Sequence, residues 1–367
     1  MSLRYAPVAK ARPRFAAVQY QDRRDPTRLI AERGRPAVRR ALANAVRLFR
    51  ATLPVKAMAA KIAARDLIGA ADLVNVATLR HDLKGAFAAL AAVHKGAGDH
   101  AAEQINAALG KARQRARVRK DTSTFSGVPQ PPSRFAFDLY AGEVMQALAD
   151  YQDTFITAMT DDVRKTVFDA IAAGVREGAD PEDVAAGIRD AIGLNDRQAL
   201  AVENYRAALE GNEARSLGYQ LRDDDADEAV QAALDSGVPL DPARIDELVN
   251  GYVERSLDYR ADMIAQTESN RAANMGLQAS YRQAVAAGVF PEAAVKQYWM
   301  LALDEKTCLT CILIAVGANL GIGIGDGFLS EGEEVDAPPV HPNCRCTLEM
   351  RTNLDIVDAS EAFEAAA

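Results

Sequence analysis

Cysteine is missing from most of the chain: all four cysteines lie between Cys308 and Cys346 of 367 residues. Cross-links confined to so short a segment cannot close loops elsewhere, which excludes a disulfide framework for the whole protein and gives the thiols a local task. There is no uninterrupted apolar run of about 18 residues, the length a membrane-crossing helix needs. The opening MSLRYAPVAKARPRF lacks the apolar centre of a secretory leader. The expectation is a soluble protein made in a cytoplasm, with no membrane partner. Aromatic residues make up only 6% and there is a single Trp, a poor supply for a β-sandwich core. Hydrophobic residues at 49% against 26% charged exclude a wholly disordered chain. What is abundant is alanine, the strongest helix former.

The net charge of −8 conceals a division. Residues 1–120 carry 25 Lys and Arg against 8 Asp and Glu, a surplus of 17 positive charges, and the remainder has an excess of 25 negative ones. A basic region can neutralise phosphates or dock on an acidic protein, whereas the acidic body repels DNA. Solvated, charge-rich helix faces account for the same composition equally well. Arg12, Arg14, Arg23, Arg24, Arg39 and Arg40 are the candidate contacts to DNA or to a partner.

The chain divides by texture. Residues 1–36 place four prolines among arginines and read as a basic extended arm. Residues 37–120 show apolar positions at three- and four-residue spacing, interrupted at Pro54, Gly69 and Gly96, and read as short basic amphipathic helices. Residues 121–133, DTSTFSGVPQPPS, are a linker. Residues 134–288 read as a helical bundle, with a stripe from Val144 to Val175, Asp180-Pro181 and Asp241-Pro242 as helix starts, and a long final helix to about Ala287. Residues 289–351 supply two strands, within Val295–Leu303 and Cys346–Arg351, joined by a long loop. Residues 352–367 form an acidic tail. The expected fold is mainly α, a helical bundle with a small C-terminal β cap (α+β) closed by a cysteine cluster.

Cys308-x-x-Cys311 and His341-Pro342-Asn343-Cys344-Arg345-Cys346 stand at the two ends of that loop. Five soft or borderline ligands suit a tetrahedral Zn²⁺. The most economical set is Cys308, Cys311, Cys344 and Cys346, with His341 as the alternate if Cys-x-Cys geometry strains one thiolate. Four protein ligands leave no position for water, so the site would be structural. Disulfides, redox-labile pairs and simply buried thiols are the other readings.

The ordered series Ala265-Gln266-Thr267-Glu268, Trp299, Asp304, Thr307-Cys308-x-x-Cys311, a Gly-rich loop, Pro338-Pro339 and His341-to-Cys346 resembles the C-terminal domain of bacteriophage head-morphogenesis (minor head) proteins. The resemblance covers residues 255–351 closely and the helices before it loosely. It implies a virion protein, present in few copies and made in the host cytoplasm. Such a protein would sit at the portal vertex with portal or capsid protein and packaged double-stranded DNA as partners, acting in head assembly and in DNA retention or release. Residues 1–120 fall outside the pattern and inherit nothing from it.

Each motif residue has a plainer role as well. Thr267 and Glu268 read as one face of a long helix with a solvated or capping carboxylate, the sharper alternative being a buried Glu268–Arg345 or Glu268–Arg271 contact. Trp299 reads as a core anchor, and Arg345 as the cation balancing a thiolate cluster, the alternative being a residue that faces DNA. The Gly-rich loop 317–332 lacks the context of a phosphate cradle. Two rival functions are an ADP-ribosyltransferase-like enzyme using Glu331-Gly332-Glu333 and a zinc-ribbon DNA-binding regulator. The first lacks supporting motifs and the second sits in an acidic body.

Overall fold

A computed structural model describes residues 25–118, 134–302 and 307–353. The fold is mainly α with a small antiparallel sheet near the C-terminus. The helices are α1 (Pro26–Thr52), α2 (Val55–Ala63), α3 (Leu67–Asp72), α4 (Val76–Val118), α5 (Gly142–Glu177), α6 (Pro181–Ala191), α7 (Asp196–Glu210), α8 (Asp227–Ser236), α9 (Pro242–Ala286) and α10 (Leu309–Gly317). The strands are β1 (Val295–Met300), β2 (Ile322–Gly323), β3 (Phe328–Ser330), β4 (Glu333–Val335) and β5 (Thr347–Thr352). No described helix is long and apolar enough to cross a membrane.

Several starts and stops follow from local chemistry. Asp180 caps α6 by accepting from the Glu182 N–H at 2.8 Å, with Pro181 in the first helical position. Asn195 and Gln198 form a capping box on α7. Gly178 ends α5 in the left-handed region, at φ 68°. Asp25 caps α1 in the same way as Asp180, its carboxylate accepting from the Arg28 N–H at 3.0 Å.

That last cap corrects the sequence expectation: the helix begins at Pro26 and runs through Pro36, so residues 26–36 are helical and not part of an extended arm, and they continue into the helix that carries Arg39 and Arg40. Proline removes one backbone donor, but Pro36 is exposed while Ala31, Val38, Leu42, Ala45 and Phe49 of the same helix are buried, and that burial outweighs the lost bond. Gly69 and Gly96 lie inside α3 and α4 and do not interrupt them. A glycine costs about 1 kcal/mol against alanine, which a packed helix absorbs. Pro54 does break the chain, between α1 and α2. The linker 121–133 and the tail beyond Asn353 lie outside the described residues, as does the arm before Asp25.

The chain divides into two compact units that are not consecutive in sequence. This differs from the expected succession of a region 37–120 and a bundle 134–288, because helical periodicity marks a buried face without saying which helix covers it. One unit comprises residues 31–93 and 139–269. Its α2, α3, α5 and α6 pack on one another. A separate cluster stacks Tyr205 on Tyr252, with ring centroids 4.7 Å apart. Arg35 pairs with Asp262, Arg47 with Glu254 and Asp258, and Arg50 with Asp190 and Glu254. Part of the basic N-terminal surplus is therefore spent inside the protein, on carboxylates of α9 and α6. The exposed pairs of Arg47 contribute on the order of 1 kcal/mol or less each, so they fix register more than stability.

The other unit comprises the described residues of 25–30, 94–138 and 270–353. Its sheet has the order β2-β1-β5, all antiparallel, with Trp299 opposite Leu348 and Gln297 opposite Met350. A hairpin, β3 and β4, turns at Glu331 and Gly332 with φ 53° and 92°. The expected loop between two strands is thus built up into α10, β2 and this hairpin, and the Gly-rich stretch 317–332 is largely strand and turn. Trp299, 1% exposed, meets Phe328 edge-on at 5.2 Å in the core. Within the same unit α4 and α9 approach closely: a Cβ at Gly276 would stand 2.0 Å from the carbonyl oxygen of His94.

Candidate metal centre

Cys308 is the N-cap of α10, not the end of a strand as expected: its sulfur accepts from the Cys311 N–H at 3.4 Å. This places both sulfurs of the Cys-x-x-Cys at the N-terminal end of a helix. The second cluster is formed by a turn. The Cys344 N–H donates to the His341 carbonyl at 3.2 Å, and Asn343 adopts φ 59°, a conformation Asn tolerates better than most residues.

The two clusters converge. His341 Nε2 lies 3.1 Å from Cys308 Sγ and 3.3 Å from Cys311 Sγ, and Cys311 Sγ lies 3.7 Å from Cys344 Sγ. The ligand atoms form two triads, Cys308–Cys311–His341 and Cys311–Cys344–Cys346, each within 4.8 Å and sharing Cys311. A tetrahedral ion with bonds of about 2.3 Å to sulfur and about 2.05 Å to nitrogen needs edges of about 3.8 Å for S–S and about 3.5 Å for S–N. The donor set fits a metal ion in kind and in spacing. The imidazole is oriented as well: His341 Nδ1 lies 2.9 Å from the Pro342 carbonyl, and donating there leaves the Nε2 lone pair facing the sulfurs.

Electrostatics describe what the cluster needs. Cys344 is drawn down to about 3 by hydrogen bonds from the thiols of Cys311 and then Cys346. Cys311 is pushed up, first by its bond to Cys344, then by Cys346 and by burial. Cys346 is pulled down by Cys311 but raised on balance to about 12 by Cys344 and burial. Three thiols this close and this buried oppose one another's ionisation. A dication is what lets them ionise. Arg345 lines the same small cavity, beside these sulfurs.

A feature that periodicity concealed holds the ligand loop. Asn270, Asn274 and Gln278 recur every four residues on one face of α9, all buried. The Asn270 amide donates to the carbonyls of Cys346 at 2.7 Å and Cys344 at 3.3 Å. Asn274 donates to the Pro338 carbonyl at 3.0 Å and accepts from the Leu348 N–H at 2.9 Å. Gln278 donates to Gln297, whose own amide reaches the carbonyls of Gly323 and Asp326. Amides at helical spacing, Asn270, Asn274 and Gln278, set beside the apolar Ala273 and Leu277, were the signal available in the sequence.

The remaining motif residues fall elsewhere. Thr267 is buried and donates to the Met263 carbonyl at 2.9 Å. Glu268 is half-buried and accepts from the Tyr151 hydroxyl, which corrects the reading of it as a solvated carboxylate. Asp304, Arg12, Arg14, Arg23 and Arg24 lie outside the described residues. Arg39 and Arg40 are exposed and form no ion pair among the described residues. Glu331 and Glu333 are exposed at the hairpin turn.

No family model, curated protein or solved structure matches this chain.

Proposed function

We propose that the chain is a phage minor head protein whose C-terminal cap is stapled by one structural Zn²⁺. The observation carrying the staple is the convergence of Cys308 and Cys311 with His341 and Cys344 across 30 to 33 residues of chain. The ligands are Cys308, Cys311, His341 and Cys344. Cys346, buried beside Cys311 and Cys344, stays outside this set, its backbone carbonyl held by Asn270. We place His341 in the set ahead of Cys346, the simplest choice from sequence, because its Nε2 stands within hydrogen-bonding distance of two sulfurs. Zinc supplies no reaction here. It joins the start of α10 to the start of β5 and neutralises thiolates that the core cannot carry alone.

The head-assembly reading rests on the order and spacing of the motif from Thr267 to Cys346, and is supported by the cap's construction as a docking body with no open ligand position. In this reading portal or capsid protein holds the cap. Packaged DNA meets the basic N-terminal residues that are not engaged internally, Arg39 and Arg40 among them. The protein is not an enzyme in this reading, since the exposed Glu331-Gly332-Glu333 turn offers no enclosed site for a substrate. Quantitative mass spectrometry of purified phage heads tests it. The chain should be found in a few copies per particle and retained after the external fractions are washed away. Its absence from heads, or measurable NAD cleavage abolished by Glu333→Ala, would overturn the reading.

A further inference from the structure

The region from Thr307 to Gly325 contains no charged residue, yet part of it faces solvent. On α10 and the turn after it, Leu309, Leu313, Val316 and Leu320 recur at intervals of four, three and four, one stripe of a helix. The three leucines are 69%, 61% and 79% exposed. The opposite side, with Cys311, Ile314 and Ala315, is buried in the unit's core. A helix that is apolar on both faces while one face is bare marks a surface to be covered.

The rim states what should cover it. Between Thr307 and Cys344 there is no Lys or Arg, whereas Asp326, Glu331, Glu333, Glu334 and Asp336 are all exposed. None of these five carboxylates forms an ion pair among the described residues. They belong to the loop and hairpin that pack against α10 through β3, and Thr310 of α10 bonds Glu331 at 3.3 Å. The apolar stripe and the exposed carboxylates therefore make one composite surface.

From this composite surface we infer that α10 is a docking site for a basic amphipathic helix of a partner protein, its apolar residues on the Leu309–Leu320 stripe and its Lys or Arg flanks against the acidic hairpin. The inference is independent of the head-assembly reading, since it rests on the stripe and the carboxylates alone. An acidic helix would meet like charge, and a second copy of this cap would bring five further carboxylates to the same contact.

The full-length protein is titrated by fluorescence anisotropy with two labelled model helices, one of Leu and Lys in amphipathic order and one of Leu and Glu. The Leu/Lys helix should bind, and the Leu/Glu helix should not. Leu309→Ser with Leu313→Ser should weaken binding by at least about tenfold. Glu331→Gln, Glu333→Gln and Glu334→Gln together should flatten its salt dependence. Melting and metal content must match the parent, which these exposed positions permit. No binding of the Leu/Lys helix, equal binding by the Leu double variant, or equal binding of the Leu/Glu helix would overturn the inference. So would a parent dimer in sedimentation that the Leu variants dissociate, because the face would then be covered by a second copy.

Discussion

The side-chain amide of Asn270 donates to the carbonyl of Cys346 at 2.7 Å, tying the middle of α9 to the backbone between two candidate metal ligands. Because both groups are buried, removing the amide leaves two ligand-loop carbonyls without that donor. Asn270→Ala is expected to cost about 1–3 kcal/mol and to weaken metal binding about 10- to 100-fold. Competition against a zinc chelator, run beside urea unfolding, checks both. Asn270→Ala with unchanged zinc affinity would show that the amide supports the fold and not the site.

The close approach of α4 and α9 gives a second expectation. Gly276→Ala places a methyl against the His94 carbonyl, and backbone cannot rotate away as a side chain can, so a loss of about 1–3 kcal/mol is expected. Gly110→Ala, also within α4 but with open space around its Cβ, should gain up to about 1 kcal/mol. Urea midpoints at unchanged slope measure the pair. Equal effects would remove the close contact as a cause.

His94 predicts a pH dependence. It is 1% exposed, neither ring nitrogen has a hydrogen-bond partner among the described residues, and burial lowers its pKa from 6.5 to about 4. The folded pKa lies below the unfolded one, so the stability it contributes is present above about pH 6.5 and is lost as the pH falls toward 4. Between about pH 7 and pH 5 the loss should be about 2 kcal/mol. His94→Leu should abolish that portion of the slope, read from urea midpoints at the two pH values. A variant as acid-sensitive as the parent would refute the assignment.

The ligand set separates two neighbouring residues. His341→Ala is expected to lose most zinc affinity, whereas Cys346→Ser keeps one ion per chain and loses less. Isothermal titration with zinc after chelation distinguishes them. The reverse order would restore the four-cysteine set.

The limits of the sequence are visible at particular residues. Asp180-Pro181 and Asp241-Pro242 announced helix starts because capping is decided within one turn, and the two long strands were legible from β-branched and aromatic texture. Asp25-Pro26 carries the same start signal as Asp180-Pro181, but the prolines and arginines around it concealed a helix whose buried stripe becomes evident only with α1 folded. The partners of Arg35, Arg47 and Arg50 lie more than 130 residues away, and no local rule reaches that far. For the site, cysteine spacing alone marked the ligands. The choice between His341 and Cys346, and the amides of Asn270 and Asn274 behind them, depend on the turn at Asn343 and on which face α9 presents to it.

The staple itself is tested most directly by native mass spectrometry of the full-length protein, purified without added metal, with cobalt(II) substitution to report the ligand field. The account predicts one zinc per chain, release of that ion with loss of the cap's cooperative melting, and a tetrahedral cobalt spectrum with thiolate charge-transfer bands. A metal-free protein that melts as before and shows four freely reactive thiols would contradict it.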